Sequence, residues 1–225
     1  MNHPQTGDFI DIHTHGVLPV YGVFAVENLM AHEYTDPAVI SAAAFTAGIH
    51  PWYLNENNRE QLLKYVRNAS SDKRLIALGE AGFDKLRGPD MELQRTTFEE
   101  QVIISGEIEK PLFIHCVKAW DELLAVHKKM RPSTPWMVHG FRGKKELASQ
   151  LLSRGMYISL WYEFVLRPES AELIRSLPGD RIFLETDGAD VSIKDIYNKV
   201  ADDLGISTNN LKSIISSNYY KLFVK

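Results

Sequence analysis

Short apolar runs alternate with longer stretches of helical spacing along the chain. Residues 9–12, 23–26, 42–49, 75–80, 111–115, 136–139, 156–160 and 181–185 read as eight strands. Helical spacing fills most of the intervals, over 60–66, 92–108, 120–127, 147–152, 173–177, 195–204 and 211–223. Asp90 stands as N-cap of the helix over 92–108, with Leu93, Phe98, Val102 and Ile103 on its apolar face. Strands alternating with helices imply parallel βαβ units, and eight of them predict an α/β fold, a TIM-like (β/α) barrel. Residues 16–41 lack a long amphipathic stretch, and the interval from Val26 to His50 is too short for a long helix plus a strand. The barrel is therefore expected to be slightly degenerate, with one helix short or missing. No linker or internal repeat divides the sequence, so residues 1–225 read as a single domain.

Composition narrows the classes. The chain has 225 residues, 44% hydrophobic and 24% charged, enough to bury a large core without staples. A formal charge of -4 argues against a general nucleic-acid coat, which would be basic. One cysteine excludes an internal disulfide framework and fits a reducing compartment. No run reaches ~18 apolar residues, so no membrane span is expected. The polar stretch 1–8 shows no signal peptide, which makes a cytoplasmic location the expectation.

The polar residues at the ends of the apolar runs carry the chemistry. Asp11, His13 and His15 close the first strand, Glu80 a middle one, His115 and His139 the next two, and Glu185 and Asp187 the last. In a barrel these ends converge on one face. A His-x-His pair puts both imidazoles on one side of a strand. Alone it is a weak signal, and each other residue alone reads as an ordinary strand-end polar group. Their joint occurrence at successive strand ends points to a metal site. Nitrogen with carboxylate donors suits zinc, manganese or iron, or magnesium if carboxylate and water dominate.

This constellation resembles the TatD family of metal-dependent hydrolases, in the amidohydrolase superfamily. The matching residues run in family order: Asp11-Ile12-His13-Thr14-His15, Gly48-Ile49-His50-Pro51, Gly79-Glu80-Ala81-Gly82-Phe83-Asp84, Pro111-Leu112-Phe113-Ile114-His115-Cys116, His139-Gly140-Phe141-Arg142-Gly143 and Leu184-Glu185-Thr186-Asp187. The resemblance implies one or two divalent ions (Zn, Mg or Mn). His13, His15, Glu80 and Asp187 would hold one, and Glu80 would bridge to a second held by His115 and His139. It implies a phosphodiesterase or deoxyribonuclease in which Asp187 is general base, Glu80 shares the catalytic work, and His50 faces the substrate. The substrate would be a small-molecule or nucleic-acid phosphodiester, with no membrane and no obligate protein partner.

The chain departs from the family pattern in places. Arg142 stands where the family usually has serine, and reads either as a phosphate contact or as a solvated side chain. Val117 replaces a common arginine. The proline and long loop after Asp187 are missing, which bears on the substrate. Trp161 and Tyr162 read as barrel packing in preference to a base-stacking pair. Cys116 and His127 read as structural. The alternative function is hydrolysis of a small ester, lactone or amide on the same metal site. A non-catalytic binding module is a third reading, opposed by the intact ligand set.

Overall fold

The computed structural model describes residues 3–16 and 19–224. The strands are β1 (Phe9–Thr14), β2 (Val23–Met30), β3 (Ala44–Gly48), β4 (Leu75–Asp84), β5 (Leu112–Val117), β6 (Trp136–Phe141), β7 (Tyr157–Leu160) and β8 (Ile182–Leu184). They form one sheet in the order β1 to β8. Its strands run parallel, and just past β8 the Asp187 N–H donates to the His13 carbonyl of β1 at 3.1 Å. This is the (β/α) barrel that the alternating pattern predicts.

The helices are α1 (Arg59–Ala69), α2 (Met91–Glu107), α3 (Trp120–Met130), α4 (Lys145–Leu152), α5 (Tyr162–Val165), α6 (Ser170–Ser176), α7 (Ile193–Leu204) and α8 (Thr208–Phe223). Among the described residues no α-helix lies between β1 and β2, as expected; Val17 and Leu18 of that gap are outside the described residues. The β2–β3 connection likewise has only two 3₁₀ turns, Ala31–Glu33 and Pro37–Val39, so the degeneracy extends over two connections. The burial of the strands reflects this. All ten residues of β4 are buried, as in a parallel strand covered on both faces. In β2, Phe24, Val26 and Asn28 are buried while Val23, Ala25 and Glu27 are half-exposed, the alternation of a strand covered on one face. Among the described residues no helix is long and apolar enough to cross a membrane.

The chain divides into two compact units, one of residues 28–41 and 45–136, the other of residues up to 27, 42–44 and from 137 on. In the first, Phe83, Phe98 and Trp136 stack edge to face at 5.0 and 5.2 Å. His127 stands against Trp136 at 4.7 Å, in the structural role read from its helix position. Asp90 caps α2 by accepting the Glu92 and Leu93 N–H groups at 2.9 Å. The buried face of α2 differs from the predicted one. Ile103 is 45% exposed, while Gln94, Thr97, Phe98, Gln101 and Val102 are buried. The reason is polar. The Gln94 amide accepts from Asp84 N at 2.8 Å and donates to Asp84 O at 3.0 Å. The Gln101 amide does the same to Ile49, at 2.8 and 3.4 Å. β3 and β4 also touch closely at Gly48, where a Cβ would stand 2.5 Å from the Gly79 Cα.

In the second unit the buried Tyr197 hydroxyl accepts from Ile10 N and donates to Ile10 O, both at 3.1 Å, which ties α7 to β1. Phe24 packs edge to face on Tyr219 of α8 at 5.4 Å.

Candidate metal centre

In the first unit β4 passes through a cis Gly79–Glu80 peptide bond and delivers a buried Glu80. Asn28 fixes that residue from both sides. Its Nδ2 donates to Glu80 Oε1 at 3.1 Å, and its Oδ1 accepts the Glu80 N–H at 3.1 Å and the Thr46 hydroxyl at 2.8 Å. The other carboxylate oxygen, Oε2, lies 3.5 Å from His50 Nε2 and 3.4 Å from His115 Nδ1. Those two ring nitrogens are 3.2 Å apart.

The two imidazoles differ in where their protons sit. His50 caps the 3₁₀ turn Pro51–Tyr53, its Nδ1 accepting the Trp52 N–H at 3.1 Å. A neutral His50 therefore carries its proton on Nε2 and is a donor towards Glu80. His115 is the reverse. Its Nε2 faces Asp84 Oδ2 at 3.3 Å, so the proton belongs there and Nδ1 is left as the ligand nitrogen towards Glu80. Asp84 is itself well held: Trp52 Nε1 donates to Oδ2 at 2.6 Å, and the Leu86 and Arg87 N–H groups to Oδ1 at 2.7 and 3.0 Å. Burial alone would raise the Asp84 carboxyl. The hydrogen bonds from His115, Trp52 and Leu86 hold it well below the usual carboxylate range.

In the second unit His13 Nε2 and His15 Nε2 lie 3.5 and 3.6 Å from Asp187 Oδ1. His13 is in β1 and fully buried. His15 lies just past the strand and its side chain is 30% exposed, Asp187's 28%. Water therefore reaches Asp187 from the His15 side. Asp187 has φ +54, a left-handed conformation that Asp and Asn tolerate better than most residues. Its neighbour Thr186 is pinned to β1: the Asp11 carboxylate accepts the Thr186 N–H at 3.0 Å and hydroxyl at 2.6 Å. Burial pushes the Asp11 carboxyl up to about 7 against those bonds.

His139 stacks obliquely on His13, ring centroids 4.5 Å apart. Behind it stands the fully buried Glu185, whose Oε1 lies 3.7 Å from His139 Nδ1 and accepts the Gly140 N–H at 2.5 Å.

These separations bear on what the groups hold. Good N–H···O bonds span ~2.7–3.2 Å. Two donors each ~2.1 Å from one tetrahedral ion stand about 3.4 Å apart by geometry. The separations of 3.4–3.6 Å from His115 to Glu80 and from His13 and His15 to Asp187 match the second value better. Imidazole nitrogens and carboxylate oxygens are also the donor set of zinc, manganese and related divalent ions. The residues present fit such an ion.

The sequence-predicted residues thus fall into His13, His15, His139 and Asp187 in one unit and His50, Glu80 and His115 in the other. Arg142 lies outside both groups. It is exposed, its guanidinium 4.3 Å over the Trp161 ring. Trp161 and Tyr162 are half-exposed, so they do not serve as the barrel packing predicted for them. Burial pushes the Cys116 thiol up, which fits an inert structural cysteine. Sequence reasoning passed over Asn28, quoted Asp84 only within a motif, and named Glu185 only as a residue closing the last strand. For Glu185 the available signal was its spacing, two residues before Asp187 at the end of an apolar run.

The solved structures like this chain agree with the fold. The family model described as TatD related DNase matches residues 26–224. A 3'-5' ssDNA/RNA exonuclease TatD from Erwinia billingiae is 35% identical over 147 residues, 63% of this chain and 56% of that protein, so the match spans about half the relative's length. An uncharacterized metal-dependent hydrolase, YcfH, from Escherichia coli K12 is 26% identical over 198 residues, 80% of this chain and 73% of the relative. The crystal structure of YjjV, a TatD homologue from Escherichia coli K12, superposes with a TM-score of 0.80 at 21% identity, covering 97% of this chain and 99% of that one. The family model covers most of the chain, and the chain belongs to the TatD related DNase family.

Proposed function

We propose that this protein is a metal-dependent hydrolase of phosphodiester bonds in nucleic acid, using one or two divalent ions. The observation that carries the reading is a histidine backed by a buried carboxylate: His115 Nε2 faces Asp84 Oδ2 at 3.3 Å, which leaves Nδ1 towards Glu80 Oε2. A carboxylate on one ring nitrogen fixes the tautomer and raises the basicity of the other, which is how metal-ligating histidines are oriented.

A divalent ion bound here supplies charge stabilisation and a water acidic enough to act near neutral pH. The candidate ligands are His13, His15, His139 and Asp187 in one unit and Glu80 and His115 in the other. Asp187, solvent-accessible between two imidazoles, receives the proton of the attacking water on its carboxylate. The His50 Nε2–H, its tautomer set by the Trp52 N–H, donates to a non-bridging phosphate oxygen. Glu80 keeps its charge towards the histidines because Asn28 satisfies its other oxygen. The single cysteine is consistent with a reducing, cytoplasmic setting.

The test is turnover of a phosphodiester and a carboxylic ester side by side, by metal-stripped protein and by protein reloaded with zinc, manganese or magnesium singly. Metal-restored cleavage of the phosphodiester is expected. Cleavage of the carboxylic ester alone would replace this reading with that of an esterase on the same centre.

A further inference from the structure

We propose that Trp161 and Arg142 form a subsite for one unpaired nucleotide of a single-stranded nucleic acid, the base stacking on the indole and the phosphate meeting the guanidinium; this rests on the phosphodiesterase reading above. The placement follows from the sheet. β6 and β7 are paired with Phe141 opposite Leu160, so the next residues, Arg142 and Trp161, leave the sheet at the same level. The Trp161 N–H donates to the Phe141 carbonyl at 3.2 Å, which fixes the start of the segment after β7. His139 lies two residues before Phe141 on the same strand. The pair therefore stands at the strand ends that carry this unit's histidines.

The chemistry of the pair is that of a nucleotide platform. Trp161 keeps a half-exposed indole where a core tryptophan would be covered. Tyr162 meets it edge-on at 5.6 Å, limiting its swing. Arg142 lies 4.3 Å over the ring, and among the described residues no carboxylate pairs with it. Its Nη1 donates to the Gly140 carbonyl at 3.4 Å; a guanidinium held by a ring and a carbonyl instead of an acid keeps its charge and its remaining N–H groups for another anion, and phosphate fits them. Indole stacking accepts any base, because every base has a π-face, but needs the base out of a duplex. The subsite would thus select unpaired over paired strands without reading sequence.

The experiment is fluorescence anisotropy with metal-loaded protein and two hydrolysis-resistant phosphorothioate probes, dT12 and an abasic strand of the same length. Trp161→Ala is expected to weaken dT12 binding about 5- to 100-fold and to leave the abasic probe where it was. Trp161→Phe keeps a stacking ring and is expected to recover most of the loss, which separates stacking from misfolding. Arg142→Gln is expected to weaken both probes and to lower the salt slope of binding by about one. Wild-type affinity for dT12 in Trp161→Ala, an equal loss on the abasic probe, or wild-type protein that binds the two probes alike would overturn the proposal. If wild-type protein cleaves no phosphodiester with any metal, the functional reading fails, while the anisotropy comparison still decides the platform by itself.

Discussion

Glu185 Oε1 accepts the Gly140 N–H at 2.5 Å and stands 3.7 Å from His139 Nδ1, so one buried carboxylate fixes the backbone beside the ring and sets a negative charge within ion-pair reach of it. Glu185→Gln keeps the shape and removes the charge. Metal affinity is expected to fall about 10- to 100-fold, the usual effect of losing such a partner, with the fold retained. Metal titration by calorimetry checks this. Unchanged affinity would show that Glu185 serves only the Gly140 turn.

Asp187→Asn is expected to separate chemistry from metal binding. Asparagine tolerates the left-handed backbone at this position and keeps an oxygen donor, but it takes no proton from water. Turnover should drop by ~10²–10⁴-fold at saturating metal, while metal content by mass spectrometry stays near that of the unaltered protein. Near-normal turnover would move the general base elsewhere.

Gly48→Ala tests the close approach of β3 and β4. The added methyl would meet the Gly79 backbone at 2.5 Å, and neither strand has a side chain there to give way. Overpacking of this kind costs about 1–3 kcal/mol or more. Urea unfolding should show a lower midpoint, and the loss should exceed that of an alanine at Gly106 of α2, where the added carbon meets only the Ser133 Oγ at 3.5 Å.

Asp72 gives a pH dependence. Hydrogen bonds from the Arg74 side chain lower its carboxyl below the usual range, and Arg74 also donates to the Pro37 and Ile40 carbonyls. A depressed pKa means the folded state favours the charged form. Its contribution is present above the unfolded value near 4 and is lost as pH falls through the folded value. Asp72→Asn should cost up to about 1 kcal/mol at pH 7, and the difference should fade in acid unfolding series.

All eight strands were legible because each is a short apolar run ending in a polar residue or turn. Spacing alone made the helices legible except α5, a single turn too short to show a period, and it misplaced the buried face of α2. Gln94 and Gln101 have no place on the predicted apolar face, yet each is buried because it satisfies a strand's backbone, while Ile103 is exposed. The candidate ligands stood out through their shared position at strand ends. What they rest on did not. Whether His50 or His115 presents a bare nitrogen depends on Trp52 and Asp84, contacts that no spacing rule encodes. Trp161 was misjudged because an aromatic residue after an apolar strand looks the same in sequence whether it turns inward or stays on the surface.

The two glutamines of α2 have a consequence for how the strand ends are defined. Each amide meets one residue's N–H with its carbonyl and the same residue's C=O with its NH₂, the two contacts that a neighbouring strand would otherwise make. Gln94 and Gln101 are thus single-residue surrogates for strands, finishing the hydrogen-bonding of β4 at Asp84 and of the segment after β3 at Ile49. Glutamate would reproduce only half of each surrogate, setting a carboxylate against a carbonyl. Because the surrogates sit on one helix at positions two turns apart, α2 acts as a ruler: it spaces Asp84 from Ile49, and with them the residues next in line, so the positions of His50 and the Asp84 carboxylate are measured off a helical pitch before any ion arrives.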